Sequence, residues 1–213
     1  MEKKSLNKFY PRLHNGFEYV DLGLPSGTLW AKCNVGAERE EDYGLFFQWG
    51  DIQGYTAEQV GIVSGQKYFG WKDYKWANDG GRTMTKYNDT DGKTVLDLED
   101  DAAHVNMGGS WVMPTKAQFE ELTALTSVWT TKNGINGREF TGTNGNKLFI
   151  PAVGYASNGS VYVRGSDLYV WSSSLSESDA VNAWRLDAYS SGVDVGYYGS
   201  RYYGFGVRGV VNP

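Results

Sequence analysis

Residues 108–122 read GGSWVMPTKAQFEEL. Thr115 stands before a helical pattern and Gln118 follows three residues later, the spacing of a capping box. In that arrangement the threonine hydroxyl accepts the amide of residue 118, and the glutamine side chain reaches back to the amide of residue 115. Phe119, Leu122 and Leu125 then fall on one face, so this helix lays a single apolar stripe on a core.

On both sides of this helix the pattern is that of strands. Phe17–Leu22 alternates apolar and polar residues, as a half-buried strand does. Leu24-Pro25-Ser26-Gly27 is a turn, and Thr28–Val35 reads as a second strand, which predicts a hairpin over 17–35. Residues 43–75 are aromatic and irregular, with Trp49-Gly50-Asp51 and Gly70-Trp71, and read as a long connection of short elements. Asp97–Val105 has the acidic first turn of a second helix, with His104 toward its far end and Gly108 after it. Beyond Trp129, Asn-Gly turns separate strand candidates at 137–142 and 147–150. Residues 161–163, 169–174 and 204–211 add further short strands. A hairpin, two helices and many short strands make an α+β domain. Residues 1–15 read as a weakly structured arm and 16–213 as one domain.

Composition narrows the function. The 213 residues suffice for one domain with a substantial core. With 28 glycines, 5 prolines and 15 % aromatic residues, the chain favours short strands and tight turns over a helical bundle. Mean hydropathy of −0.48 fits a soluble globular protein. A net charge of −5 argues against a general nucleic-acid binder, which needs a basic face. Cys33 is the only cysteine, which excludes an intrachain disulfide and a cysteine-rich zinc site. No histidine or basic cluster adjoins it, so it reads as a small buried hydrophobe. No apolar run approaches the roughly 18 residues of a membrane span. The opening MEKKSLNKFY lacks the apolar stretch of a secretory signal, so the expectation is that the protein leaves the cell without one, for instance in a phage particle, or that a signal has been removed, and that it acts outside the cell on a phage particle or cell surface.

Reaction chemistry finds little footing. Asp89-Thr90-Asp91-Gly92 begins like a calcium loop, but Asp100 stands at the twelfth position where that loop needs Glu, and it reads as a polar turn. Glu99, Asp100 and Asp101 read as capping and dipole-complementing groups rather than a carboxylate pair flanking a cleft. Ser172–Ser174 lacks a G-x-S-x-G context. Gly204-Phe205-Gly206 lies outside any βαβ setting. The expectation is no catalytic residue, no metal and no cofactor.

Residues 187–203, DAYSSGVDVGYYGSRYY, use a narrow vocabulary of Tyr, Ser, Gly and Asp, with no Lys, Glu, Gln, Met or Trp. Tyrosine supplies rigid contact area with a polar tip, and Ser, Gly and Asp supply adaptable hydrogen bonds, as in a paratope. Every residue type in this stretch can be reached from an Asn codon by changing only its adenines. Lys, Glu, Gln, Met and Trp cannot. The stretch therefore reads as the product of adenine-directed mutagenesis.

The residues carry a family likeness. Gly108–Leu122 resembles the G-x-W-R-L-P-T block of formylglycine-generating-enzyme-like proteins, and Gly204–Arg208 resembles their closing G-F-R strand. Val20–Ala31, Trp49-Gly50 and Leu98–His104 resemble, more closely, the fibrobacter succinogenes major paralogous domain common in Bacteroides-type bacteria and their phages. The resemblance runs over roughly residues 16 to 211. It implies a C-type lectin-like fold with short twisted antiparallel sheets, two helices and long loops. Formylglycine-generating enzymes hold copper with a cysteine pair, and this chain has only Cys33, outside the matching C-terminal region. Calcium lectins carry Glu-Pro-Asn or Gln-Pro-Asp and Trp-Asn-Asp triplets; Trp76-Ala77-Asn78-Asp79 is a weak echo. The remaining branch is that of the variable proteins of diversity-generating retroelements, whose last segment is rewritten at template adenines. Trp171–Ser174, Ala183–Leu186 and Gly204–Arg208 are similar to its fixed frame.

The resemblance implies a variable, ligand-binding face within about residues 179–203. Its candidates are Asp179, Val181, Asn182, Arg185, Asp187, Tyr189, Ser190, Ser191, Asp194, Gly196, Tyr197, Tyr198, Gly199, Ser200, Tyr202 and Tyr203. In Val193-Asp194-Val195 the valines would face the core and Asp194 the solvent. The tyrosines would be anchors, and Asp187 and Asp194 would add charge. The expected partner is a bacterial surface protein or glycan, with no nucleic acid and no membrane insertion, and homo-oligomeric display would strengthen weak single-site binding. The alternatives are a fixed-specificity carbohydrate-binding module, an adhesin or a structural domain. Trp30, Trp49, Trp111, Trp171 and Trp184 are expected to pin the core and loops.

Overall fold

The capping box at Thr115 forms as its spacing requires. Thr115 Oγ1 accepts the Gln118 amide at 3.3 Å, and Gln118 Oε1 accepts the Thr115 amide at 2.9 Å. The helix Lys116–Thr123 follows, with Phe119 and Leu122 buried. It is one of two short α-helices in a computed structural model that describes residues 12–81, 83–196 and 198–212. Most of the regular structure is antiparallel sheet.

The first sheet joins distant ends of the chain. Its order is Leu13–His14, Phe17–Asp21, Leu29–Asn34 and Arg208–Val211. The predicted hairpin is present, with Tyr19 opposite Ala31 and Asp21 opposite Leu29. Val210 pairs with Trp30 and Arg208 with Asn34. The Arg208 guanidinium is fully buried and donates to Asn34 Oδ1 at 2.9 Å, to Ala31 O at 3.0 Å and to Phe149 O at 3.1 Å. Such a buried cation is tolerated because its donors are satisfied.

The second sheet is a meander of Thr126–Lys132, Ile135–Thr141 and Lys147–Pro151. Asn133 and Gly134 link its first two strands with φ of 48° and 84°. Both angles are left-handed, which is why an Asn-Gly pair serves a two-residue hairpin loop. A third sheet, built on Leu168–Leu175 and Asn182–Tyr189, carries the candidate site. Among the described residues, no helix is long and apolar enough to cross a membrane.

Several boundaries differ from the sequence reading. Residues 1–11 of the expected arm lie outside the described residues, and Leu13–His14 at its end already pairs with Phe17 and Glu18. The helix expected over 97–105 is Ala102–Met107, preceded by the 3-10 turn Leu98–Asp100. Asp101 caps it by accepting the His104 amide at 2.9 Å, so Glu99 and Asp100 stand before the helix rather than in its first turn. The meander begins at Thr126, before Trp129, because Ser127 and Trp129 pair across to Phe140 and Arg138. The last strand begins at Arg208; Gly204 to Gly206 make only isolated bridges. Cys33 is half-buried, and burial raises its thiol pKa above the ordinary value.

Trp30, Trp49, Trp111 and Trp171 are fully buried. Trp49 Nε1 donates to Ser172 O at 2.8 Å, Trp171 Nε1 to Phe47 O at 2.9 Å and Trp111 Nε1 to His14 O at 3.0 Å. These three rings thus add apolar burial while their polar tips are satisfied, whereas Trp30 Nε1 is buried with no hydrogen-bond partner among the described residues. Trp184 is buried as well and donates to Glu177 Oε2 at 2.9 Å.

Candidate functional site

The strand Asn182–Tyr189 is the centre of the third sheet. Leu168–Leu175 pairs along one edge, and Gly192–Asp194 and Tyr198–Ser200 share the other. Alternation along the strand sorts its residues. Leu186 and Ala188 enter the core cluster that holds Phe119, Leu122 and Val195. Arg185 and Asp187 point to the opposite face, paired in register with Trp171 and Tyr169.

At the far end of the strand, Tyr189 pairs with Gly192 around the exposed Ser190-Ser191 loop. Tyr189, Asp194 and Gly196 are exposed there too. Val195 is buried and Val193 half-buried, in keeping with the expected alternation about Asp194. Asp194 Oδ1 also accepts the amides of Val195 at 2.6 Å and Gly196 at 2.8 Å, so its carboxylate holds this turn.

At the near end, exposed Asp179 accepts the Val181 amide at 3.0 Å and the Asn182 side-chain amide at 3.3 Å. Ser200 Oγ donates to Asn182 Oδ1 at 3.4 Å. Val181, Asn182 and Ser200 are half-buried. Seven residue steps separate the two ends of the strand, roughly 23 Å.

Between the ends, the structure corrects several expectations. Asp187 is buried, not a solvent-facing charge, because it lies opposite Tyr169 and bonds to Arg185 Nη2 at 3.2 Å. Burial raises its pKa, against the lowering effect of Arg185. Gly199 is buried as well: an added Cβ would stand 2.5 Å from the Phe205 ring and 2.8 Å from the Trp171 ring. Arg185 is half-buried, 4.7 Å from the Tyr169 ring centre and 5.2 Å from that of Phe205. Tyr202 and Tyr203 are half-buried, with their ring centres 4.5 Å apart. Tyr202 also meets Trp71 at 4.7 Å, and burial pushes its pKa up to about 12. Tyr197 lies outside the described residues, as does the side chain of Tyr198, whose backbone pairs with Trp184.

These residues border a notch of about 180 Å³ lined by Tyr155, Tyr169, Arg185, Tyr203 and Phe205. Tyr169 and Phe205 stack at 5.4 Å, and Tyr203 stacks on Phe205 at 5.7 Å. Burial pushes the Tyr169 hydroxyl up to about 12. Tyr155, Tyr169 and Trp71 were not among the sequence candidates. The alternation Tyr169-Val170-Trp171 places Tyr169 and Trp171 on one face of an adjacent strand, a signal that could have brought in Tyr169 but not Tyr155 or Trp71.

A larger cavity of about 820 Å³ lies against the strands Phe17–Asp21 and Leu29–Asn34, and none of the candidate residues lines it. Within its lining Lys32 Nζ pairs with Glu18 at 2.6 Å and Arg39 with Glu41 at 3.5 Å, and Glu40 pairs with Lys132 beside it.

The carboxylates of Asp97, Glu99 and Asp100 bring oxygens within 4.8 Å of one another. Lys86 Nζ sits among them at 3.1, 3.1 and 2.5 Å, and Lys75 adds a bond to Asp100 at 3.0 Å. The cluster is thus an ammonium cage. The calcium-like turn at 89–92 is closed from within, with Asp91 accepting the amides of Tyr87, Asn88 and Lys93.

Comparison with family models, with curated proteins and with solved structures finds no match for the chain.

Proposed function

We propose that the protein is a non-enzymatic binder that presents the face around Asn182–Tyr189 to a target on a bacterial surface, outside the cell, on a phage particle or a cell envelope. In this reading the scaffold is a C-type lectin-like fold, and residues 179–203 are diversified by a retroelement acting at template adenines.

The observation that carries the reading is how burial divides the segment. Ala188, Val195 and Arg201 are buried, while Tyr189, Ser190, Ser191, Asp194 and Gly196 are exposed. Surface substitutions usually change stability by less than about 0.5 kcal/mol, so such a segment can vary its contacts without losing its fold. A single cysteine supplies no pair for the copper chemistry of the related enzymes.

Sequencing the locus and its flanks from sister isolates tests this. Substitutions confined to adenine-derived codons near 179–203, beside a near-copy template and a reverse transcriptase, would support it. An invariant 3′ end with no template would sink diversification.

A further inference from the structure

We infer that two copies of this chain pair edge to edge through the strand Thr126–Lys132, related by a two-fold axis at Trp129. The inference goes beyond the binder reading above and does not depend on it.

The turn decides which backbone groups are free. Lys132 and Ile135 close the two-residue loop Asn133-Gly134, so they form a hydrogen-bonded pair, and the ladder alternates from there. Thr126, Val128, Thr130 and Lys132 therefore direct N–H and C=O toward Ile135–Thr141, while Ser127, Trp129 and Thr131 direct theirs away from it. Among the described residues no isolated bridge reaches this outer edge, and no loop or side chain bonds to the backbone of Trp129 or Thr131. Ser127 O takes only Arg138 Nη2, at 3.5 Å.

Other long edges are managed. The outer side of Leu168–Leu175 is covered, with the amides of Trp171, Ser173 and Leu175 bonded to Gly206 O at 3.0 Å, Pro114 O at 2.8 Å and Thr94 O at 2.8 Å. Open edges are otherwise blunted by proline, lysine or a bulge. Thr126–Lys132 keeps its register without a break and holds neither proline nor charge before Lys132, which is engaged by Glu40. Val128 stands 52 % exposed on it.

The order of residues favours a second copy as the occupant. About Trp129 the segment TSVWTTK is near to its own antiparallel complement. Ser127 meets Thr131 of the second copy and Val128 meets Thr130 of the second copy, hydroxyl and β-branched pairs of the kind that stabilise sheets. In this register each outward N–H finds an outward C=O. Lys132 falls opposite Thr126 of the second copy, so no like charges face each other, whereas a charged foreign strand finds no counter-charge along 126–131. The same surface serves both copies, so the assembly closes at two. A single shared edge is small beside the roughly 800 Å² per partner of a standard interface, and the association is accordingly weak.

The experiment is sedimentation velocity of the full chain from about 1 µM to about 1 mM, the range of weak association, with amide hydrogen exchange read at both ends. The expected result is a reversible monomer–dimer equilibrium in which the amides of Ser127, Trp129 and Thr131 slow in proportion to the dimer formed, while those of Val128 and Thr130 do not change. Thr131→Pro removes an outward N–H that the ladder to Ile135–Thr141 does not use. Val128→Lys places like charges on diagonal positions of the two copies. Each is expected to weaken dimerisation by about tenfold or more with the melting transition retained. Val63→Lys, an exposed change outside this sheet, is expected to leave dimerisation as it is. A monomer throughout the range, an assembly larger than a dimer, or unchanged exchange at those three amides overturns the pairing whether or not the variants fold. Dimerisation that both folded variants retain overturns it too. Capture of bacterial envelope fragments is measured in parallel. A monomer that captures them overturns the pairing and leaves the binder reading standing. A dimer that captures none keeps the pairing and counts against the surface-target reading.

Discussion

Arg201 Nε donates to the hydroxyl of Tyr74 at 2.8 Å, tying the candidate segment to the long aromatic connection. Its other nitrogens donate to Tyr87 O at 3.1 Å, Ala180 O at 2.8 Å and Lys86 O at 3.0 Å. Trp49 lies 4.8 Å from its centre and Trp76 5.4 Å. One buried guanidinium thus holds three loop segments together.

Arg201→Ala is expected to cost about 3 kcal/mol or more, since it strands buried acceptors and opens a cavity. Arg201→Lys cannot reproduce the fork and is expected to recover only part of the loss. Chemical denaturation of both variants checks this.

Gly199→Ala is expected to destabilise by about 1–3 kcal/mol, because the new Cβ meets rigid rings rather than flexible chain ends. Ser190→Ala and Ser191→Ala are expected to change stability by less than about 0.5 kcal/mol. A thermal series of the three separates positions free to vary from positions that are not.

Thr115→Ala removes the helix cap and is expected to cost about 1 kcal/mol. Gln118 also donates to Thr28 Oγ1 at 3.2 Å and to Asn212 Oδ1 at 2.6 Å. Gln118→Ala is therefore expected to cost more than Thr115→Ala, as read from denaturation midpoints.

Acid is expected to weaken the fold through the cage around Lys86. Burial pushes the Asp100 pKa up, but hydrogen bonds from Lys86, Tyr87 and Lys75 outweigh it and hold it below its ordinary 3.8. Bonds from Lys93 and then Lys86 lower Asp97 likewise. With folded pKa values below the unfolded ones, this stabilisation is present above about pH 4 and lost as pH falls through the folded values. Lys86→Met is expected to flatten that part of the stability–pH curve, measured by denaturation between pH 6 and about pH 2.

Local rules were the legible part of the chain. The Thr115–Gln118 box, the Asn144-Gly145 turn and the 17–35 hairpin depend on neighbours in sequence, and each appears in the structure. The candidate face was legible as a segment but not as a surface. Asp187 looks like any charged residue until Tyr169 and Arg185 are seen to close over it. Gly199 looks permissive until Phe205 and Trp171 are in place. The notch draws Tyr155 from one hairpin and Tyr169 and Arg185 from the neighbouring sheet, a meeting that no spacing rule foretells.

The pairing of Arg208–Val211 with Leu29–Asn34 also bears on how the chain is made. Arg208 and Asn34 bond across 174 positions. A ribosome completes the candidate segment before it completes the strand that closes the first sheet. Contacts of such long range slow folding, because loop closure comes before the reward. The first sheet is therefore expected to close only after the candidate segment has been made. A chain stopped before Arg208 is expected to lack a cooperative melting transition.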